Sequence, residues 1–177
     1  HLLKLVDEAV PGDPSVGLAL EESLNSAYGL LAAYHGDDHF DGLTSHRSAI
    51  EPHSQDDLRE PVDAVIDGLR GYGEKSLAVR PDIHERWWGF GYPLFQRLAL
   101  HLIDIDSYRS ADDKLRWVLD RDLLFEFGAK HEVYRVLSRS VPLAGLKVKS
   151  QLLERALLGT QFPNELPEVE RHAAYIK

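Results

Sequence analysis

Histidines and carboxylates gather in one stretch of this sequence, His35-Gly36-Asp37-Asp38-His39-Phe40-Asp41, with His46 and His53 following. Neutral imidazoles and carboxylates are good ligands for zinc or iron, so His35, His39, His46 and His53 define one chemical reading, a His/Asp metal-binding helical enzyme fragment. An H-x-x-x-H pair shares a face only on a helix. Gly36 and the Asp37-Asp38 pair argue against a helix there, and no H-E-x-x-H pattern is present. A polar surface loop is the preferred reading of the cluster.

The next stretch, "LTSHRSAIEPHSQDD" from Leu43 to Asp57, offers a second constellation. Arg47, Glu51 and His53 could bind a ligand or do acid-base chemistry, and Ser45 or Ser48 could act as a nucleophile if a base were oriented beside it. The structural alternative, which is favoured, has Ile50 anchoring the loop in the core, Pro52 stiffening it, and Ser54-Gln55-Asp56-Asp57 capping the next element. A third group is aromatic: Trp87, Trp88, Phe90 and Tyr92 beside two glycines. Large rigid rings dominate binding hot spots, so these four make a candidate contact surface, although burial of both tryptophans is expected.

The elements that must position these groups read as helices. Apolar residues recur at three and four residues, and no segment alternates long enough for a strand. A short helix is expected over Leu2 to Val10, stopped by Pro11-Gly12-Asp13-Pro14, and a longer one over Ser15 to Tyr34. A long polar loop spans 35–60. Pro61 opens a helix that Gly71 and Gly73 should end, and Pro81 opens one running through Trp88. Helices are then expected over Leu94 to Ile105, after an N-cap at Ser110, over Lys130 to Ser140 and over about Leu146 to Leu158, closed by Gly159. His84, His101 and His131 read as core or boundary histidines with satisfied hydrogen bonds, and Glu132 with Arg135 as a pair on an exposed helix face.

Two of these helices repeat together. A shift of 38 residues places Phe95 on Val133, Leu98 on Val136, Ala99 on Leu137 and Ile103 on Val141, and then Leu115 on Leu153, Val118 on Ala156 and Leu119 on Leu157. A shift of 33 relates Val62, Val65, Ile66 and Leu69 to Phe95, Leu98, Ala99 and Leu102. Such spacings belong to helical-pair repeats. The expected fold is therefore all-α, stacked antiparallel helix pairs in an α-solenoid (HEAT-like) segment, with Leu98, Leu102, Leu115, Val118, Leu119, Val136, Leu137, Leu153 and Leu157 buried.

Composition narrows the function. The chain has 177 residues, 44% hydrophobic and 28% charged, the balance of a single globular segment. Its start without Met and its tail "LPEVERHAAYIK", which reads as the first turns of another helix, suggest a fragment of a longer chain. Leu94 to Ile105 is interrupted by Gln96, Arg97, His101 and Asp104, so no membrane span of about 18 apolar residues is available. Zero cysteines remove disulfides and thiolate chemistry and fit a cytoplasmic location. A net charge of −9 argues against nucleic acid as a partner, the strip Arg135, Arg139, Lys147 and Lys149 notwithstanding.

The segments "RSAIEPHSQD", "PVDAVIDGLR", "PLFQRLALHLI", "DDKLRWVLDRDLLFEFGAKHEVYRVL" and "LLERALLG" resemble the helical-repeat region of very large bacterial multidomain proteins of the antiphage-defence-sensor kind. In that family a sirtuin-like or nucleotide-hydrolysing domain is the effector and the helical array the recognition part. The resemblance covers residues 43 to 159 and brings no catalytic residue onto this chain. It implies a non-catalytic interaction segment without a cofactor, whose partner is a protein or other domains of the same chain.

Overall fold

The computed structural model describes residues 14–35, 41–53 and 60–159. The helix expected over Leu2 to Val10, His39, the Ser54 to Asp57 cap and the tail helix lie outside them. The described residues are all-helical: α1 (Pro14–His35), α2 (Pro61–Ser76), α3 (Ile83–Gly89), α4 (Pro93–Ile105), α5 (Ala111–Asp120), α6 (Lys130–Ser140) and α7 (Leu146–Leu158), with short 3-10 turns at Thr44–His46, Leu123–Phe125, Phe127–Ala129 and Val141–Leu143. No strand occurs among them, and no helix among them is long and apolar enough to cross a membrane.

Local chemistry sets most of the boundaries. Pro61 and Pro93 occupy first helical turns, where the missing N–H costs nothing. Asp63 accepts from the Glu60 amide at 2.9 Å, tying down the start of α2. At α5, the Ser110 hydroxyl accepts from the Asp113 amide at 3.2 Å. Gly159, with φ of 65°, closes α7 in a conformation that favours glycine.

Helix α4 is the centre of the core. Leu94, Phe95, Leu98, Ala99, Leu100, Leu102 and Ile103 are all completely buried, and so nearly are Arg97, His101 and Asp104. A helix enclosed on every side must be surrounded by other elements. Here α3 packs on α4, α1 on α2 and α5 on α6, while α4 also meets α2 and α6, and α7 packs on α5. At about 1.5 to 3 kcal/mol for each fully buried leucine-sized side chain, α4 carries the largest share of apolar stabilisation.

Two glycines do not behave as the sequence suggests. Gly71 and Gly73 lie inside α2, which runs on to Ser76. A single glycine penalises a helix by only about 1 kcal/mol, less than tertiary packing returns. Gly73 is where the Trp87 ring lies against the helix: a Cβ there would sit 2.5 Å from Cη2 of Trp87. Gly17 in α1 makes the same kind of room for Tyr72. Pro81 likewise precedes α3 by a turn, since the helix itself begins at Ile83.

The expected core holds for Leu98, Leu102, Leu115, Val118 and Val136, which are buried, while Leu119 and Leu137 are half-buried. Leu153 and Leu157 are the exceptions, 60% and 79% exposed. They lie on a face of α7 that none of the described elements covers.

Candidate functional site

The 41–53 segment is an irregular loop, and an irregular backbone needs partners for its N–H and C=O groups. It finds them in arginines. Arg97, inside α4, donates through Nη1 to the carbonyls of Thr44 (2.9 Å) and Arg47 (2.8 Å) and through Nη2 to that of Ser48 (3.0 Å). The same guanidinium holds both carboxylate oxygens of Glu132 on α6, at 3.1 and 2.8 Å. Glu132 in turn accepts from the Ile50 amide at 3.1 Å. Both charges are buried, so their pairing and the hydrogen bonds that complete it are what make the arrangement tolerable.

Arg47 repeats the device on the other side of the loop. Its Nε and Nη2 grip Asp67 of α2 at 3.2 and 2.7 Å, and its Nη1 reaches Asp63 at 3.2 Å and the His46 carbonyl at 3.3 Å. Arg70 bonds Asp67 at 3.0 Å and the Ile50 carbonyl at 2.9 Å. A planar guanidinium with its fork of N–H donors suits such work, satisfying carboxylates and carbonyls together. Ile50 is itself fully buried, the anchor expected of it.

Arg47, Glu51 and His53 therefore do not converge. Arg47 turns toward α2, whereas Glu51 pairs with Arg135 and with His131 Nε2 (3.1 Å) on α6, and His53 is exposed. The exposed Glu132–Arg135 pair does not form either. Glu132 is buried on Arg97, while Arg135 is shared between Glu51 and Asp104 (3.3 Å). Burial, followed by the neighbouring Arg139, holds the Arg135 guanidinium below its usual range. The Ser45 hydroxyl donates to the Gly42 carbonyl at 2.7 Å rather than to a base.

Of the four histidines offered as metal ligands, His46 lies 3.3 Å from Asp63 and 4.0 Å from Glu60. His35 closes α1, and His39 lies outside the described residues. Among the described residues, no group of three or more His, Cys, Asp or Glu is placed to hold a metal ion.

The aromatic group is mostly a packing device. Trp87 is completely buried and donates its indole N–H to Glu21 of α1 at 2.8 Å, with Arg86 on the same carboxylate. Trp88, half-buried, meets Trp117 edge-on at 5.0 Å. Phe90 packs on Phe95, and Tyr92 stacks on Tyr28 at 4.3 Å. Burial raises the Tyr28 phenol well above its ordinary range, and its hydroxyl donates to Asp41 at 3.0 Å.

Above the Arg97–Glu132 pair lies an open cleft of about 690 Å³ between the loop and α6. Phe127 and Tyr134 stand at this cleft, 62% and 68% exposed, with Lys130 beside them.

Comparison of this chain with protein-family models, with curated proteins and with solved structures gives no match to any of them. The cleft was not evident in the sequence, because its floor joins residues 35 apart and its exposed aromatics lie outside the Trp87 to Tyr92 group. One signal was there: Arg97 stands in a strongly apolar helix, one turn from Leu94 and beside Leu98, where a charge needs a buried partner.

Proposed function

We propose that this chain is a non-catalytic recognition segment, part of a HEAT-like array of stacked helix pairs that works by contact with protein. The observation that carries this reading is the fate of two leucines related by the 38-residue shift. Leu115 on α5 is completely buried, in a small cluster with Ala144 and with Val148 of α7. Its counterpart Leu153 on α7 is 60% exposed, and Leu146, Leu157 and Leu158 of the same helix are more exposed still.

In a repeat array each helix pair completes the core of its neighbour, so an equivalent leucine calls for an equivalent cover. That cover is a further helix pair, supplied by other domains of the same chain or by a protein partner. The alternation of α2, α4 and α6 with α1, α3, α5 and α7 in packing supports the stacked arrangement. The resemblance of the helical text extends the reading to the recognition arm of a bacterial antiphage-defence protein. Saturated ion pairs at the 41–53 loop fit a structural rather than catalytic role for it.

A photo-crosslinking residue in place of Leu153, introduced in the full-length protein inside cells, tests the reading. Crosslinks to a helical segment of the same chain or to one partner protein are expected. A residue that stays uncoupled, or hydrolytic activity from these 177 residues alone, would overturn it.

A further inference from the structure

We infer that the cleft beneath Phe127 and Tyr134 docks an acidic peptide segment of a protein partner. The inference rests on the reading of the chain as a protein-contact segment, but it concerns a surface other than the leucine face of α7.

Size and lining come first. A cleft of about 690 Å³ falls in the range that holds a ligand of several side chains. Two large aromatic side chains of its lining, Phe127 and Tyr134, remain in water. Rings of this kind bury much apolar area at little entropic cost, which is why they recur at the centres of interfaces.

Charge then selects the occupant. Over the whole chain 29 acids outnumber 20 lysines and arginines, yet the cleft is lined by Arg47, Arg97, Lys130 and Arg135 against the single carboxylate Glu132. The three arginines are neutralised from behind, Arg47 by Asp63 and Asp67, Arg97 by Glu132, and Arg135 by Glu51 and Asp104. Lys130 is not. Among the described residues its ammonium has no carboxylate within ion-pair distance, and it lies 5.6 Å from the centre of the Phe127 ring. A carboxylate entering the cleft beside Phe127 would meet this cation, while a basic segment would meet like charge. One uncompensated lysine can partner a single carboxylate but not a run of phosphates, so it and the aromatic lining favour peptide over nucleic acid.

Fluorescence anisotropy tests this on the full chain with a labelled peptide alternating Glu and Leu, its Gln-for-Glu counterpart and a labelled DNA duplex. The acidic peptide should bind at least about tenfold more tightly than the amide peptide, and more weakly as salt rises. Lys130→Glu should abolish that preference, and Phe127→Ala with Tyr134→Ala should weaken the acidic peptide by about tenfold or more. All three side chains are exposed, and unchanged circular dichroism will confirm intact folding. Equal binding of the two peptides, binding of neither, indifference to these variants, or binding of the duplex alone would each overturn the inference. Crosslinking at Leu153 reads the other surface, so its persistence after a negative peptide result would remove the cleft assignment and leave the array reading standing.

Discussion

Arg97 and Glu132 form a buried bidentate pair, 2.8 and 3.1 Å between their heavy atoms, that joins α4 to α6 and fastens the 41–53 loop to both. Glu132→Gln leaves the guanidinium buried without its counter-charge and should cost about 3 to 5 kcal/mol. Joint replacement, Arg97→Met with Glu132→Leu, would be nearly neutral for an isolated ion pair. Here it should stay destabilised by at least about 2 kcal/mol, because the carbonyls of Thr44, Arg47 and Ser48 and the Ile50 amide lose their partners. Urea unfolding of the single and double variants measures both quantities. Full recovery in the double variant would show that the loop does not depend on the pair.

Gly71 and Gly73 should respond to alanine with opposite signs. Nothing lies within 4 Å of a Cβ at Gly71, so Gly71→Ala should stabilise by about 0.5 to 1 kcal/mol through helix propensity. At Gly73 the added carbon meets the rigid indole of Trp87 at 2.5 and 2.8 Å, and overpacking of about 1 to 3 kcal/mol outweighs that gain. Thermal melts of the two variants should move in opposite directions.

His84 predicts a pH effect. It is completely buried, an N–H of Arg109 points at its Nε2 from 2.8 Å, and Glu85 and Asp106 do not offset this environment. Burial first and Arg109 second hold the imidazole below its ordinary value, so the folded chain keeps it neutral. The unfolded chain binds the proton near its usual pKa of about 6.5, and stability is therefore lost as pH falls from about 6.5 toward the lowered folded value. Denaturant midpoints at pH 7.5 and 5.5 should show the native chain losing more than a His84→Gln variant. An equal loss in both would place the titration elsewhere.

Leu115 and Leu153 should separate in a truncation pair. Leu115→Ala removes a completely buried side chain and should cost about 2 to 5 kcal/mol. In these 177 residues Leu153→Ala should stay within about 0.5 kcal/mol of the parent. A large cost at Leu153 would mean that its face is already covered.

Local signals in the sequence were sufficient for several of the helices, though not for the end of α2 or the start of α3. Lys130 to Ser140 and Leu146 to Leu158 lie where proline, glycine and the apolar period place them, and Ser110 caps as its type and its following acids imply. What remained hidden involves partners distant in sequence. Short-range pairing suggests Arg135 for Glu132, but burial gives that carboxylate to Arg97. Gly73 reads as a helix end until Trp87 is known to need the space. An apolar stripe such as that of Leu153 and Leu157 states that a face wants cover without saying what supplies it. The solvent-facing cleft gives the weakest sequence signal, because Lys130 and Tyr134 face the 44–48 loop and Arg97 only after α6 has docked.

The arginine-held loop also bears on the order in which the chain folds. Its backbone contacts to α4 and α6 reach 49 to 53 residues forward to Arg97 and 82 residues forward to Glu132. Closing spans of that length carries an entropic cost that local helical turns and the shorter loop contacts to α2 avoid, so α4 and α6 must come together before the Arg97–Glu132 half of the loop's anchorage can form. Loop ordering thus belongs to the late, downhill side of the folding barrier. Substitutions that loosen it, Glu132→Gln among them, should accelerate unfolding while leaving the refolding rate almost unchanged.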